Sequence, residues 1–393
     1  MAKKRIAVLT ATRAEYGILR PLIERFYADR DLEISLLVTG AHLSEEFGNT
    51  YREILDDGFP IAVKIPILEK GDTAAAVSRT MAEALEAFGG YFEENRADML
   101  VVLGDRYETL AVCLAAMNAR IPIAHLHGGE ITEGAVDDAI RHSITKLSYL
   151  HFPSTQEYAN RIIQLGESPD RVFPVGALGV ENIRKVPLMT KTELEASLDF
   201  PLGDPYAVVT FHPVTLEDGS VESQFQALLD ALDDFTMKYI ITKANADAGG
   251  HIINRMIDQY AAVRGNVYAV ASLGMRRYLS AVKYSRMVIG NSSSGIIEAP
   301  SFQVPTVNIG DRQRGRTAAE SVIHCEAERG DIRKAMEEAA AMKERLKKEP
   351  VHNPYEAEGT SRKIAAVCKD FLLHDRIYLK KTFYDLHGKT VQE

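Results

Sequence analysis

The feature that most constrains this chain is an alternation. Short, nearly continuous β-branched apolar runs at 5–10, 33–40, 98–104 and 122–127 are separated by stretches of helical length and pattern at 17–28, 73–94 and 108–118. A strand that is apolar at every position must be covered on both faces, which is the situation of a parallel sheet with helices above and below. Repeated β-α units therefore predict a doubly wound α/β domain. A second series of runs follows at 206–212, 238–242, 266–270, 286–290 and 304–310, after a weakly patterned Pro- and Lys-bearing stretch at 184–192. From 331 to 373 the pattern is helical without a strand. The chain reads as α/β, with two Rossmann-like domains facing a cleft, 1–185 and 186–365, and a helical tail at 366–393. At 393 residues it is too long for one compact core and suits two domains of roughly 100–200 residues.

Charge and composition narrow the partners. Asp and Glu number 55 against 46 Lys and Arg, a net charge of −9 with histidine neutral. No block of five or more like charges occurs, so neither nucleic acid nor an anionic membrane is expected as a partner. Hydrophobic residues at 46% and charged residues at 26% exclude a disordered, collagen-like or disulfide-stapled chain. Cys113, Cys325 and Cys368 are too far apart for a C-x-x-C pair, and an odd number suits a reducing compartment. The apolar run at 6–9 is too short for the core of a signal peptide, and no run of 18 apolar residues exists. A soluble cytoplasmic protein is the expectation.

In open parallel sheets, ligands lie beyond the carboxyl ends of strands, and the chemically dense residues of this chain follow its predicted strands. After the first run comes a polar loop, TATRAEYG at 10–17, in which Arg13 enters a helix. A helix N-terminus plus a guanidinium suits an anion, although an arginine in a surface turn has the same sequence. Neither G-x-G-x-x-G nor G-x-x-x-x-G-K-[ST] is found, which weakens dinucleotide and P-loop readings.

The run at 98–104 empties into Asp105-Arg106-Tyr107-Glu108. Desolvated charges there need a partner or a substrate, the other reading being an N-capping aspartate with a solvated arginine. The next run ends in His125-Leu126-His127-Gly128-Gly129-Glu130, and Asp137, Asp138, Arg141 and His142 follow. His125 and His127 alternate faces of a strand and do not readily share one metal ion, so general acid and base work is the better reading. In the second half, a strand ends in His212-Pro213. Another opens into Asn291-Ser292-Ser293-Ser294-Gly295, with Glu298 two turns on, a pattern for a phosphate cradle or for a plain serine cap. The last run ends in Gly310-Asp311-Arg312-Gln313-Arg314-Gly315-Arg316, a cluster suited to an oxyanion.

Together these segments resemble the UDP-N-acetylglucosamine 2-epimerase family, in particular its hydrolysing bacterial branch of sialic acid biosynthesis. The resemblance runs nearly end to end: TATRAEYG at 10–17, LGDRYE at 103–108, HLHGGE at 125–130, DDAIRHSITKLS at 137–148, FHP at 211–213, GNSSSGIIE at 290–298 and IGDRQRGR at 309–316. It implies a glycosyltransferase-B-like architecture, UDP held mainly by the C-terminal domain, no cofactor and no metal, and a homodimer or homotetramer. It further implies that Asp105 and Asp137 are catalytic carboxylates. Ser292, Ser293 and Glu298 would contact diphosphate and ribose, Arg13, Arg106 and Arg312 would surround the UDP, and His212 would lie near the diphosphate. Many members carry glutamate where this chain has His127, so the base at carbon 2 of the sugar is either His127 or a carboxylate.

The implied reaction converts UDP-N-acetylglucosamine and water to N-acetylmannosamine and UDP through 2-acetamidoglucal. Other readings keep part of this chemistry. They are hydrolysing epimerisation of a UDP-2,4-diacetamido-2,4,6-trideoxy hexose, a non-hydrolysing epimerase, a UDP-sugar glycosyltransferase and a non-catalytic nucleotide-sugar sensor.

Overall fold

The computed structural model describes residues 3–71, 73–133, 135–214, 221–244, 249–374 and 376–386. The chain divides into two compact units. One comprises Met1–Glu130, Asp137–Glu181 and Ala357–Glu393, the other Ile131–Val136 and Asn182–Glu356. The sequence reading placed its junction at 185–186 and its tail from 366; residues 387–393 of that tail lie outside the described residues.

The first unit runs β1 (Lys4–Thr10), α1 (Arg13–Ala28), β2 (Leu32–Thr39), α2 (Tyr51–Asp56), β3 (Ile61–Ile65), α3 (Ala74–Glu94) and β4 (Met99–Leu103). It continues with α4 (Tyr107–Asn118), β5 (Ile123–Leu126), α5 (Asp137–Leu147), β6 (Leu150–Phe152) and α6 (Gln156–Gln164). Helix α7 (Leu178–Lys185) leads out of it. The second unit holds α8 (Lys191–Leu198), β7 (Tyr206–Thr210), α9 (Val221–Leu232), β8 (Lys238–Thr242), α10 (Gly250–Ala262) and β9 (Val267–Val270). There follow α11 (Gly274–Tyr284), β10 (Met287–Gly290), α12 (Ser293–Ile297), β11 (Thr306–Ile309), β12 (Val322–Cys325) and α13 (Arg329–Leu346). Helix α14 (Thr360–Leu373) closes the described helices and returns to the first unit.

Both sheets are parallel and six-stranded. The first has the order β3-β2-β1-β4-β5-β6, and the second, read from β9, repeats it as β9-β8-β7-β10-β11-β12. Three of the twelve strands, β3, β6 and β12, have no counterpart among the apolar runs of the sequence. All three are sheet edges. An edge strand lacks one neighbour, so β3 alternates between exposed and half-buried positions, β12 is mostly half-buried, and β6 is only 3 residues long.

The central strands explain why the chain folds this way. In β4, Met99, Val101 and Leu103 join one core layer and Leu100 and Val102 the opposite one. In β7, Ala207 and Val209 face one layer and Tyr206 and Val208 the other. Period-2 burial on both faces demands helices on both faces. Helix α14 supplies part of the first unit's cover, burying Ile364, Cys368, Phe371 and Leu372 with Leu19, Leu22 and Phe26 of α1. Polar contacts fix its register: Arg25 Nε donates to Ser361 Oγ at 2.6 Å, and Lys369 reaches Asp29 at 2.8 Å. Among the described residues no helix is long and apolar enough to cross a membrane.

The strand order reverses between β1 and β4 and again between β7 and β10, and such switch points open a crevice at the carboxyl ends of the strands. At the second of these, Gly290 takes φ +130°, and a Cβ placed there would lie 1.9 Å from the Thr210 carbonyl oxygen. No side chain fits this approach. We expect Gly290→Ala to destabilise the second unit by about 2–4 kcal/mol, read as a lower urea midpoint with the first unit's transition unmoved.

Candidate functional site

Each unit presents charged and polar side chains at its switch point. In the first, β4 ends in Gly104, whose φ of +78° turns the chain so that Asp105 and Arg106 leave the sheet before α4 starts. His125, on neighbouring β5, is fully buried and places Nε2 2.7 Å from the Gly104 carbonyl. Burial holds its imidazole down at about 3, so the ring is neutral. The carbonyl needs a donor, hence Nε2 carries the proton, and Nδ1 lies 3.3 Å from the Thr145 hydroxyl of α5, which donates to the Arg141 carbonyl at 3.1 Å. His125 is thus a strut between the Asp105 turn and α5.

The centre of this cluster is Arg141. It lies on the inward stripe of α5 with Ile144 and Thr145, and is 1% exposed. Nη2 donates to Asp105 Oδ2, and Nη1 donates to the Glu130 carbonyl at 3.0 Å and to Asp138 Oδ1 at 3.3 Å. One guanidinium therefore joins the loop after β4, the loop after β5 and the first turn of α5. Asp137 opens that helix, one turn ahead of Arg141. Of the residues expected to be catalytic, the structure thus ties Asp105 directly to the helix that bears Asp137.

His127 enters from the third side. Its φ is +62°, unusual for a residue with a Cβ. Its Nδ1 is 3.2 Å from Glu130 Oε1, which also accepts from Ser154 Oγ at 2.9 Å, while Nε2 is buried with no hydrogen-bond partner among the described residues. The two glycines that follow are required by space. A Cβ on Gly129 would lie 2.4 Å from the Tyr158 carbonyl oxygen, and one on Gly128 would lie 2.9 Å from His125 Nδ1.

At the end of β1, Thr12 and Glu15 form a capping box on α1, and Glu15 Oε2 accepts from the backbone N–H groups of Ala11 and Thr12 at 2.7 and 3.1 Å. Burial, reinforced by the nearby Glu108 carboxylate, pushes Glu15 up to about 7. Arg106 Nε donates to the buried Glu108 at 2.7 Å, so this arginine is held against the protein. Arg13, at the start of α1, pairs with the half-exposed Glu53 at 2.6 Å.

The second unit's site is organised by a neutral amide. Asn291 is fully buried; its Oδ1 accepts from the backbone N–H of His212 at 2.7 Å and its Nδ2 donates to the His212 carbonyl at 2.8 Å. Its own carbonyl receives Arg312 Nη1 at 3.2 Å and Gln313 Nε2 at 2.9 Å. The loops after β7, β10 and β11 are thereby joined, which brings His212, Ser292 and Arg312 to one switch point. Ser292 caps the five-residue α12, Ser293 is its first residue and Glu298 its C-cap. The expected arginine cluster divides. Arg312 faces this site, while Arg314 is exposed beside Asp311 at 3.4 Å and Glu133 at 3.6 Å.

Four residues that organise these sites, Glu15, Glu108, Arg141 and Asn291, stand in the sequence motifs without an individual role assigned to them. Arg141 had a signal, because the i, i+3, i+4 spacing with Ile144 and Thr145 puts a charge on a helix's buried stripe. Asn291 carried none, since any small polar residue reads the same at a strand end.

Two doubly wound units with polar and cationic groups at their switch points make up a glycosyltransferase-B-like α/β enzyme framework. A profile of the UDP-N-acetylglucosamine 2-epimerase family matches residues 24–369. The chain is 42% identical over 339 residues to the GDP/UDP-N,N'-diacetylbacillosamine 2-epimerase (hydrolyzing) of Campylobacter jejuni, covering 86% of this chain and 88% of the relative. It is 40% identical over 386 residues to polysialic acid biosynthesis protein P7 of Escherichia coli, covering 98% of each. The crystal structure of Neisseria meningitidis UDP-GlcNAc 2-epimerase bound to UDP-GlcNAc shares the fold, with a TM-score of 0.77 at 17% identity over 93% of this chain and 100% of that one. The chain belongs to the UDP-N-acetylglucosamine 2-epimerase family, in its hydrolysing bacterial branch.

The Glu15 carboxyl gives a pH signature. Its folded value lies above the unfolded value of 4.5, so stability is full below pH 4.5 and is lost as pH rises through about 7. The loss is at most about 3 kcal/mol. We expect Glu15→Gln to flatten the dependence of the urea midpoint on pH between 5 and 8; an unchanged slope assigns that dependence to another group.

Proposed function

We propose that this enzyme hydrolyses and epimerises UDP-N-acetylglucosamine, giving N-acetylmannosamine and UDP. The observation that carries the reading is the Arg141 junction. One buried guanidinium holds Asp105, after β4, and Asp138, in the first turn of α5, and Asp137 opens that same turn, so acid-base groups from two segments are gathered at one switch point.

In the first stage a base takes the proton from carbon 2 while the bond from carbon 1 to the UDP oxygen breaks, leaving 2-acetamidoglucal and UDP. In the second, water adds its oxygen to carbon 1 and a proton reaches carbon 2 from the opposite face, so the configuration there inverts. Asp105 and Asp137 are the proposed proton-transfer groups. His127, with one ring nitrogen near Glu130, supports or shares that role. Protons moving on opposite faces call for two groups, and carboxylates and imidazole can be tuned to exchange them near neutral pH.

The proton on carbon 2 is weakly acidic, so departure of the diphosphate has to be strongly favoured. Ser292, Ser293 and Arg312, with His212 beside them, are the proposed diphosphate contacts, and Glu298 the ribose contact. Donors aimed at developing charge each supply about 10²–10³ in rate. Arg13 and Arg106 complete the proposed positive surround. Because the Arg13–Glu53 pair is partly exposed, exchanging Glu53 for a phosphate costs little.

A second sugar is favoured by the relatives of Campylobacter and Legionella, named as hydrolysing 2-epimerases of GDP/UDP-N,N'-diacetylbacillosamine and of UDP-N,N'-diacetylbacillosamine. The chemistry at carbons 1 and 2 is the same for both sugars. Comparing kcat/KM for the two UDP-sugars assigns the substrate.

Incubation with UDP-N-acetylglucosamine in heavy water, followed by proton NMR, is expected to give free UDP and N-acetylmannosamine deuterated at carbon 2. UDP-N-acetylmannosamine as sole product would instead mark a non-hydrolysing epimerase, and absence of turnover another sugar or a transferase. Asp105→Asn should lower kcat by about 10²–10⁴ with UDP affinity by calorimetry retained; near-normal turnover removes Asp105 from the mechanism.

A further inference from the structure

The carboxyl-terminal segment 376–386 has no regular secondary structure, yet it is held by directed polar contacts to the end of α5. Lys381 Nζ donates to the carbonyls of Lys146 and Ser148 at 2.9 and 2.7 Å, and to both oxygens of Glu167 at 2.9 and 2.8 Å. The first carbonyl is in the last turn of α5 and the second just beyond it, where a helix leaves acceptors without intrahelical partners.

Glu167 is fully buried and also takes Lys146 Nζ at 2.6 Å and His151 Nε2 at 3.2 Å. Its carboxyl is held down at about 2 by these partners against the opposing effect of burial. Further along, the Tyr384 N–H donates to the Gly166 carbonyl at 2.9 Å, and the Phe383 ring fills the space over Gly166 that a Cβ would take. Upstream, the Tyr149 hydroxyl donates to the Arg376 carbonyl at 3.0 Å and the Tyr378 N–H lies 3.1 Å from that same hydroxyl.

Apolar burial accounts for only part of this attachment, through Ile377, which packs against the first unit's core. Tyr378, Leu379, Phe383, Tyr384 and Leu386 are all exposed large hydrophobics, at 41–74%. The segment's hydrogen bonds fall on the end of α5, on Tyr149 just after it, and on Gly166 and Glu167 after α6.

That helix has an unusual entry. Asp137 follows Ile131–Val136, six residues that group with the second unit, so the connection into α5 is outside its own unit while the connection leaving it stays within. Eleven residues make a rod about 16 Å long, with Lys146 near one end and Asp137 and Arg141 toward the other. A small tilt at the held end displaces the far end, and a misplacement of about 1 Å costs on the order of 10² in rate.

We propose that the strap 376–386, acting through Lys381, clamps the last turn of α5 and thereby sets the position of Asp137 and Arg141, making Lys381 a positioning residue. The proposal rests on the assignment of α5 to proton transfer made above. The test measures hydrogen–deuterium exchange and kinetics in the full-length Lys381→Met, Lys381→Arg and Phe383→Ala enzymes. Lys381→Met leaves Glu167 its Lys146 and His151 partners, and Phe383→Ala loosens the strap without touching a buried charge.

For Lys381→Met, exchange over 137–148 should quicken at least fivefold and kcat fall at least tenfold, with KM and UDP affinity within twofold of wild type. Lys381→Arg should recover most of the kcat, and Phe383→Ala should move both readouts in the Lys381→Met direction by a smaller amount. Unaltered exchange over 137–148 in Lys381→Met and Phe383→Ala overturns the clamp. So does faster exchange, or a lower melting temperature, with kcat retained at 25 °C. If the wild-type enzyme turns over neither UDP-sugar, the proposed function fails, and the exchange measurement alone still decides whether the strap holds α5.

Discussion

A buried guanidinium is the constraint on which the first unit's site depends. Removing Arg141 from water is costly, and the cost is offset only because Asp105, Asp138 and the Glu130 carbonyl all meet it. Such a group adds little net stability relative to a well-packed apolar side chain. What it contributes is geometry: three segments that are far apart in sequence are held to one planar fork, and none can move without leaving a buried charge uncompensated. His125 reinforces the same junction as a neutral strut, and the lysine-held end of α5 places the rod that carries the arginine.

The second unit solves the corresponding problem without charge. Irregular backbone at a strand end exposes N–H and C=O groups that have to be satisfied, and Asn291 satisfies those of His212 with one side chain while its own carbonyl collects Arg312 and Gln313. The hub is an uncharged amide, where the first unit uses a guanidinium. The two units share a strand order but differ here as their proposed tasks differ, proton transfer in one and diphosphate binding in the other.

The net charge of −9 shows how little a sum says about a site. Arg13, Arg106 and Arg141 each face an acidic partner, so their charges disappear from the total while remaining local. The partners differ in burial. Glu108 and Arg141 are locked in the interior, whereas the Arg13–Glu53 pair is partly exposed and is worth at most about 1 kcal/mol. Arg13 is therefore the arginine of the three that a phosphate can recruit at small cost.

The sequence by itself determined the class of fold, because strands apolar at every position, such as 99–103 and 206–209, permit only a sheet covered on both faces. It also placed Asp105, Ser292 and Arg312 just after strands, and His127 and His212 as the last residues of strands that in fact end at Leu126 and Thr210, since the carboxyl ends of a parallel sheet are where loops converge. Edge strands β3, β6 and β12 escaped it: β3 and β12 bury too little to leave a continuous apolar signature, and β6, though buried, is three residues with a histidine at the centre. Tertiary structure alone decided which of the charged residues meet. Arg141 lies 36 residues from Asp105, and Lys381 lies 235 from Lys146. A pattern read along the chain registers which side chains are buried, but the partner of a buried charge is set by packing across the sheet, where sequence distance has no meaning.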